Sequence, residues 1–296
     1  MRVTQGMISN SMLNNLSKSY GKLDKYLDQL STGRKINRPS DNPFIAIKGM
    51  SYRTEVKQIE QFKRNTNEVH NWMDNSDDAL SNATSALQRI RELASQAAND
   101  TYDAEQRENI SKEVEQLKED LIDIANTNVN GKYIFNGTNT NEAPITKDEA
   151  GNYEFDFRDS DVNIEIAKGT SLKANVEGSD VFGEDLLGED GVLNKLITAL
   201  KDNDRDAIDA SIGEIDSSID DVVNTRADLG ARMNRLDLIE NRLSHQEITA
   251  KDTMSKNENV DYEEAITNLI TQETLHRAAL SAGTRIMQPT LLDFLR

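Results

Sequence analysis

Three basic residues, Arg34, Lys35 and Arg38, lie close together in the segment LSTGRKINRPSDNPFIAI, which runs from Leu30 to Ile47. A helix that begins just after them would present unpaired backbone amides at its N-terminus. Such amides, together with nearby basic side chains, attract anions. Anion binding is therefore one possible chemistry of this segment.

The same segment also has the sequence of a connection between two helices. Asp41 or Asn42 is suited to cap the second helix, because both side chains accept hydrogen bonds from backbone amides. Pro43 is suited to the first helical position, where its missing N–H costs nothing. Since such residues often mark a helix boundary and nothing more, a connection is the favoured interpretation.

Three histidines, His70, His245 and His276, are the other candidates for chemistry. They fall on three different predicted helices, and none belongs to an H-E-x-x-H pattern. The chain also has no cysteine, so thiolate metal sites and cysteine nucleophiles are excluded. Solvated or packed histidines are therefore favoured over a shared metal or catalytic site.

The segment DNDRD, Asp202 to Asp206, resembles the first half of a calcium loop. The sixth position is Ala207 where a calcium loop needs glycine, and the twelfth is Gly213 where it needs glutamate. A capped helix start is the better explanation. No Walker loop and no G-x-G occurs in the chain. The sequence therefore predicts no cofactor, no metal and no enzymatic activity.

The composition favours long helices over a thick globular core. Of the 296 residues, 36% are hydrophobic, 5% aromatic and 29% charged, which is typical of helices with narrow apolar seams. The net charge of −18 would repel nucleic acid and anionic membranes, so neither is an expected partner. No apolar run approaches the roughly 20 residues of a membrane span, and the N-terminus lacks the apolar core of a secretory signal peptide.

Apolar residues at alternating spacings of three and four predict coiled-coil seams near both ends of the chain. Between Pro43 and about Asn99 the same pattern predicts a helix about 80 Å long. A shorter helix follows around Ile110 to Ile124, and from Ile208 onward the pattern predicts another long helix of about 70 Å. The predicted terminal seam contains Leu13, Leu16, Tyr20, Leu23, Leu27 and Leu30 near the N-terminus, and Ile266, Leu269, Leu280, Met287, Leu291, Leu292 and Leu295 near the C-terminus.

Between the long helices, residues 138–191 alternate apolar and polar side chains and contain glycine turns, which predicts a small β-rich insert. The sequence thus predicts a mainly α fold, with long antiparallel coiled-coil-like helical rods from both chain ends and this insert. We expect three parts: paired terminal helices at 1–43 and 256–296, long-helix rods at 44–137 and 192–255, and the insert. In the final segment, Glu273 and Gly283 interrupt the seam.

Five segments resemble, in order, the flagellin superfamily of bacterial axial proteins: MRVTQGMISNSMLNNL, LSTGRKINRPSDNP, IANTNVNGKYIFNGTNT, RADLGARMNRL and MQPTLLDFLR. The opening Met1 to Gln5, the turn Ser40 to Pro43 and the segment Gly131 to Phe135 resemble the members found at the hook–filament junction. The resemblance covers roughly residues 1–140 and 192–296. It implies a structural protein, whose paired terminal helices form an inner tube and whose insert projects outward.

The resemblance also implies partners and a location. The partners would be copies of the chain in a ring or helical layer, a neighbouring hook-associated protein, flagellin and an export chaperone. Export would proceed unfolded through the flagellar type III channel, without a cleaved signal peptide, to the extracellular flagellum. Alternatives are a minor flagellin that polymerises alone, or a cytosolic coiled-coil scaffold or signalling protein.

Within this scheme the terminal seam is an assembly surface, and Leu23 and Leu280 are expected to lack partners until neighbouring subunits arrive. The connecting segment becomes a joint between two layers of the axial structure. Its basic side chains could bridge acidic groups on a neighbouring subunit. The predicted joint residues are Arg34, Lys35, Arg38, Asp41, Asn42 and Pro43.

Overall fold

The computed structural model describes residues 5–99, 102–147, 152–158 and 160–287. It divides into two compact units, which are described separately below. Unit 1 comprises the described parts of Met1–Gln58 and His245–Arg296, and unit 2 comprises those of Ile59–Ser244. The division into three parts that the sequence predicts stays a prediction. None of the described helices is both long and apolar enough to span a membrane.

Long helices dominate the described chain, which confirms the predicted mainly α fold with long rods and a few short strands. The helix expected from Pro43 to about Asn99 is observed as Pro43–Ala97, and the shorter one around Ile110 to Ile124 as Ala104–Ala125. The helices are α1 Gln5–Thr32, α2 Pro43–Ala97, α3 Ala104–Ala125, α4 Ser179–Phe182, α5 Glu184–Leu187, α6 Val192–Asp202, α7 Arg205–Glu258 and α8 Tyr262–Met287.

Within unit 2, α2 and α7 run antiparallel. Arg226 on α7 forms an ion pair with Asp77 on α2 at 2.9 Å, and Arg91 on α2 pairs with Asp216 on α7 at 2.5 Å. Many apolar residues of the same helices are buried between them, and Leu87 is fully buried. The amphipathic pattern thus folds as predicted, because two narrow apolar faces can bury each other only when the helices lie side by side.

Arg107 closes one end of this core. Although charged, it is only 6% exposed. Its Nε donates to the carbonyl oxygen of Ala97 at the end of α2, at 2.9 Å, and its Nη1 donates to Oδ1 of Asn203 just after α6. Asn203 has a left-handed backbone with φ of 57°. One guanidinium therefore donates hydrogen bonds to groups at the C-terminal ends of both α2 and α6.

Three antiparallel strand pairs follow α3. In the first, Asn130 and Gly131 both have positive φ, 54° and 83°, which is the backbone of a two-residue hairpin turn. The predicted alternating segments form the other two pairs, and the last of these contains a bulge. The strands are β1 Asn128–Val129 with β2 Lys132–Tyr133, β3 Ile145–Lys147 with β4 Tyr153–Phe155, and β5 Asn163–Ala167 with β6 Thr170–Lys173.

Unit 1 contains α1 and α8, which pair along their length in antiparallel directions. Successive contacts set the register: Ser19 meets Gln272, and Met12 meets Gly283. The expectation that the layout places the two terminal helices side by side is therefore confirmed for the described residues. Of the predicted seam, Leu291, Leu292 and Leu295 lie outside the described residues, and so does the side chain of Met287.

Candidate functional site

One face of α1 packs against α8 within the chain. Leu16, Leu23 and Leu30, each seven residues from the next, lie partly buried on this face. Between them, the hydroxyl of Ser19 accepts a hydrogen bond of 2.8 Å from Nε2 of Gln272, and it lies 3.3 Å from Nδ1 of His276. The expectation that Leu23 has no partner in the isolated chain was therefore wrong, because α8 already covers it in part.

The other half of the predicted α1 seam faces solvent. Leu13, Tyr20 and Leu27, here called the outer stripe, are 52 to 67% exposed. They also repeat every seven residues, so they share one face of the helix. The seam read from sequence thus separates into two stripes. One helix, α8, is too narrow to cover both.

On α8 the predicted seam also divides. Leu269 is partly buried, whereas Ile266 and Leu280 are exposed. For Leu280 this agrees with the expected exposure, but it means that Leu280 does not face α1. Apart from Leu269, the residues on the packed face are small or polar, and they include Ala265, Gln272, His276 and Gly283.

Gly283 was expected to interrupt the seam, and this prediction was wrong. The residue is buried, and a Cβ atom placed on it would overlap the terminal methyl group of Met12. The absent side chain leaves the space that the end of the Met12 side chain occupies. A hydrophobicity pattern scores glycine as a gap, so it could not show this contact.

The joint segment, residues 33–43, begins where α1 ends. Gly33 has a positive φ of 70°, a conformation that only glycine adopts readily, and its N–H donates to the carbonyl oxygen of Gln29 at 2.8 Å. A Cβ atom on Gly33 would lie 2.8 Å from the hydroxyl oxygen of Tyr262, the first residue of α8. The backbone conformation therefore requires glycine at this boundary.

Backbone hydrogen bonds tie the joint segment to the connection between α7 and α8. The N–H of Lys35 donates to the carbonyl oxygen of Glu258 at 2.7 Å, and the N–H of Val260 donates to that of Gly33 at 2.9 Å. The ammonium of Lys35 donates to the carbonyl oxygen of Lys256 at 2.9 Å. The cation of Lys35 is thus engaged within its own chain, next to the last turn of α7.

The sequence predicts that Asp41 or Asn42 caps α2, and in the structure the two side chains have different roles. Oδ1 of Asn42 accepts hydrogen bonds from the N–H groups of Phe44 and Ile45, and α2 begins at Pro43 as predicted. Oδ2 of Asp41 instead closes a tight turn, because it accepts from the N–H of Arg38 at 2.9 Å.

The carboxylate of Asp41 also accepts from the N–H of Asn37 at 3.2 Å. The hydrogen bond from the Arg38 amide, aided by that from Asn37, lowers the pKa of Asp41 below its ordinary value. The turn therefore keeps its charged acceptor through the acidic side of neutral pH.

The other two basic side chains of the joint segment remain available. Arg34 and Arg38 are exposed, and within the described chain neither guanidinium lies in an ion pair. Sequence reasoning missed Arg53, which forms a bidentate pair with Glu258 at 2.7 and 2.6 Å. These two residues are 205 positions apart, so no local pattern could have joined them.

Sequence reasoning also missed an exposed apolar face at the start of α2. Phe44, Ile47 and Met50 follow one another every three residues and are all exposed. A cavity of about 290 Å³, lined in part by Ile47, Met50 and Arg38, opens beside them. The spacing of three residues is the signal in the sequence that indicates this face.

Two family models identify the family to which the chain belongs. Residues 3–140 match the bacterial flagellin N-terminal helical region, and residues 212–295 match the bacterial flagellin C-terminal helical region. Together these two models match well over half of the chain, so it belongs to the flagellin family. The family is one of structural proteins of the flagellum, and it is not known for enzymatic activity.

Within the family, the chain is similar to flagellar hook-associated protein 3 of Escherichia coli strain K12, with 25% identity over 96% of each chain. It is also similar to flagellin of Bacillus subtilis strain 168, with 28% identity over 82% of each chain. Its fold matches the structure of a putative flagellar hook-associated protein from Vibrio parahaemolyticus. That comparison has a TM-score of 0.67 at 22% identity, and it covers 74% of this chain and 100% of the other. The chain is thus a structural component of the bacterial flagellum.

Proposed function

We propose that the chain is an adaptor at the junction between hook and filament, which assembles with copies of itself and templates the polymerisation of flagellin. Its similarity to a hook-associated protein extends over nearly the full length of both chains. Such a match supports the adaptor function more strongly than a match to one domain would. Flagellin would lie on one side of the layer and another hook-associated protein on the other.

The observation that carries this proposal is the outer stripe. The terminal helices pack on each other through one face, while Leu13, Tyr20 and Leu27 stay exposed. Three large apolar side chains in a row on one helix face indicate an interaction surface. A contact between this stripe and a different surface of the next copy would be head-to-tail, and such contacts build rings or helices. This arrangement suits the inner layer of a tube.

The joint segment fits the same role. Arg34 and Arg38 would form ion pairs with acidic groups on a neighbouring subunit. A second copy of this chain has an excess of acidic residues and would supply such groups. Replacing Arg34, Lys35 and Arg38 together by serine should weaken the junction. Normal junctions in that variant would remove this role.

We also propose a route by which the chain is exported to the flagellum. The chain would reach the extracellular flagellum through the flagellar type III channel, without a cleaved signal peptide, and an export chaperone would bind it beforehand. A chaperone is expected to cover exposed apolar faces such as the outer stripe, since these faces would otherwise associate early.

Replacing Leu13 or Leu27 with Asp tests the proposal. In the assembled layer the new carboxylate would be buried without a partner, which costs several kcal/mol per subunit, or about 2 to 5. In the free chain it would face water. The variants should therefore be exported and folded, yet cells should carry hooks without filaments and shed flagellin into the medium.

Ser11→Asp is the matched control, because Ser11 is exposed on the face of α1 opposite to the outer stripe. Electron microscopy of cells making each variant provides the measurement. Normal filaments on cells with Leu13→Asp would contradict the proposed surface. Normal filaments on cells that lack the chain altogether would contradict the adaptor function.

A minor flagellin is the second candidate, favoured by the 28% identity to a flagellin. The two functions differ in solution. An adaptor should stay monomeric at concentrations at which a flagellin forms long filaments. Sedimentation of the purified chain over a range of concentrations distinguishes them.

A further inference from the structure

A histidine and two carboxylates converge within unit 2. His70 projects from α2, and Asp237 and Glu240 project from α7. Nε2 of His70 lies 3.4 Å from Oδ1 of Asp237 and 3.3 Å from Oε2 of Glu240, and all three atoms lie within 4.8 Å of one another. We propose that these side chains bind a divalent transition cation of the zinc type.

The distances between the three atoms suit metal ligands better than a hydrogen-bonded ion pair. A charge-assisted N–H···O bond is shorter, about 2.7 to 2.9 Å. Ligands bound tetrahedrally to zinc at about 2.0 to 2.1 Å are separated from each other by about 3.3 to 3.4 Å. The two distances from His70 match that separation. A small rotation of the exposed side chains would bring the oxygen atoms of Asp237 and Glu240 to the same separation.

The chemistry of the donors selects the class of cation. One imidazole nitrogen with two carboxylate oxygens is a ligand set that zinc and its neighbours in the transition series accept. Calcium and magnesium prefer oxygen ligands throughout, so they should bind weakly here. The side chain of His70 is 24% exposed and the carboxylates are more so, which leaves room for water as a fourth ligand.

The position of the site gives it a structural consequence. His70 and the two carboxylates come from helices that belong to opposite halves of the sequence, so a bound cation would join α2 to α7. The chain has no cysteine, and therefore no disulfide can make such a cross-link. A cation that binds the folded chain and not the unfolded chain stabilises the fold by mass action. It would also relieve the repulsion between two neighbouring carboxylates.

The experiment is isothermal titration of the full chain with zinc chloride, with magnesium chloride as the comparison cation. The expected result is one zinc ion per chain and no measurable heat of binding with magnesium. His70→Gln and Asp237→Asn should each weaken zinc binding by at least about tenfold, since each removes a ligand. His245→Gln is the matched control, because His245 is an exposed histidine on the same helix as the carboxylates. It should leave binding unchanged.

A second measurement guards against variants that fail to fold. Cobalt(II) replaces zinc in tetrahedral sites and then absorbs strongly in the visible region, so the wild-type chain should give this absorption and Glu240→Gln should lose it. The thermal midpoint of the wild-type chain should rise with added zinc, and that of His70→Gln should not. The absence of stoichiometric zinc binding, or equal binding by His70→Gln and the wild type, would overturn the proposal.

Discussion

The two units of the chain use apolar side chains in opposite ways. Among the described residues, every buried apolar side chain except those of Val56, Ala250 and Ala265 lies in unit 2. All the exposed large apolar side chains except Val223 and Leu238 lie in unit 1. Unit 2 thus has the apolar core of a self-sufficient domain. Unit 1 instead exposes large apolar side chains, as the proposed assembly surface requires.

The same sequence pattern produces both outcomes. Heptad seams occur in α1 and in α2, but the seam of α2 is covered within the chain, whereas half of that of α1 is not. The comparison shows that a coiled-coil pattern specifies an apolar face without specifying the partner that covers it. Substitutions at matched seam positions in the two units test this contrast.

The largest effect is expected for Leu87→Asp in unit 2. Leu87 is fully buried, so the new carboxylate would lie in the core without a partner, and the stability should fall by about 4 kcal/mol or more. Because native domains are stable by only about 5 to 15 kcal/mol, unit 2 should unfold at a much lower urea concentration than in the wild type. Circular dichroism during urea unfolding measures this. Cooperative unfolding at the wild-type midpoint would contradict the assignment of the core.

A smaller effect is expected for Leu23→Asp in unit 1. Leu23 is only partly buried against α8, so the carboxylate keeps some contact with water, and the change should cost about 1 to 2 kcal/mol. The cost should appear locally as faster proteolysis of α1 and α8, while unit 2 keeps its unfolding midpoint. Limited proteolysis followed by mass spectrometry provides the measurement. Destabilisation of unit 2 equal to that caused by Leu87→Asp would mean that the two units do not differ in this way.

Even without substitution, the contrast predicts a sequence of proteolytic cuts. Because few side chains of unit 1 are buried, a protease should cleave unit 1 first. A resistant fragment near residues 45–255 should remain. A time course of digestion of the purified chain tests this. Equal resistance of both units would show that the pairing of α1 with α8 is stronger than its exposure suggests.

The smallest effect concerns a charge inside unit 2. The ammonium of Lys118 donates to Oδ1 of Asn194 at 2.9 Å, and the residue is only 8% exposed. Burial lowers the pKa of Lys118, and the nearby carboxylates of Glu115 and Glu189 offset this only in part.

A lowered pKa of a lysine in the folded state means that the unfolded chain binds more protons between the two pKa values. The contribution of Lys118 to the free energy of unfolding should therefore rise with pH as the pH approaches the ordinary lysine value, and it should be constant well below that. Lys118→Met should remove this rise and change the stability at neutral pH by no more than about 1 kcal/mol. Urea unfolding at several alkaline pH values, compared with the exposed control Lys112→Met, measures the difference. Parallel curves for Lys118→Met and the wild type would contradict it.

Local rules predicted the boundaries well. The glycine at position 33 and the Asn42-Pro43 pair mark the end of α1 and the start of α2 where the sequence places them. The predicted capped start near Asp202–Asp206 is also observed, since Oδ1 of Asp204 accepts from the N–H groups of Asp206 and Ala207. Each of these features depends on residues within about four positions of one another, so the sequence contains the whole interaction.

The helices, their apolar faces and the joint segment between α1 and α2 could therefore be predicted from local sequence. The tertiary fold, in contrast, decided which stripe of α1 is covered, why Gly283 lies in a contact, and that Arg53 meets Glu258. It also decided that His70 meets two carboxylates from α7. The physical reason is common to all four: each depends on the register between helices far apart in the chain, and a periodic pattern leaves that register open.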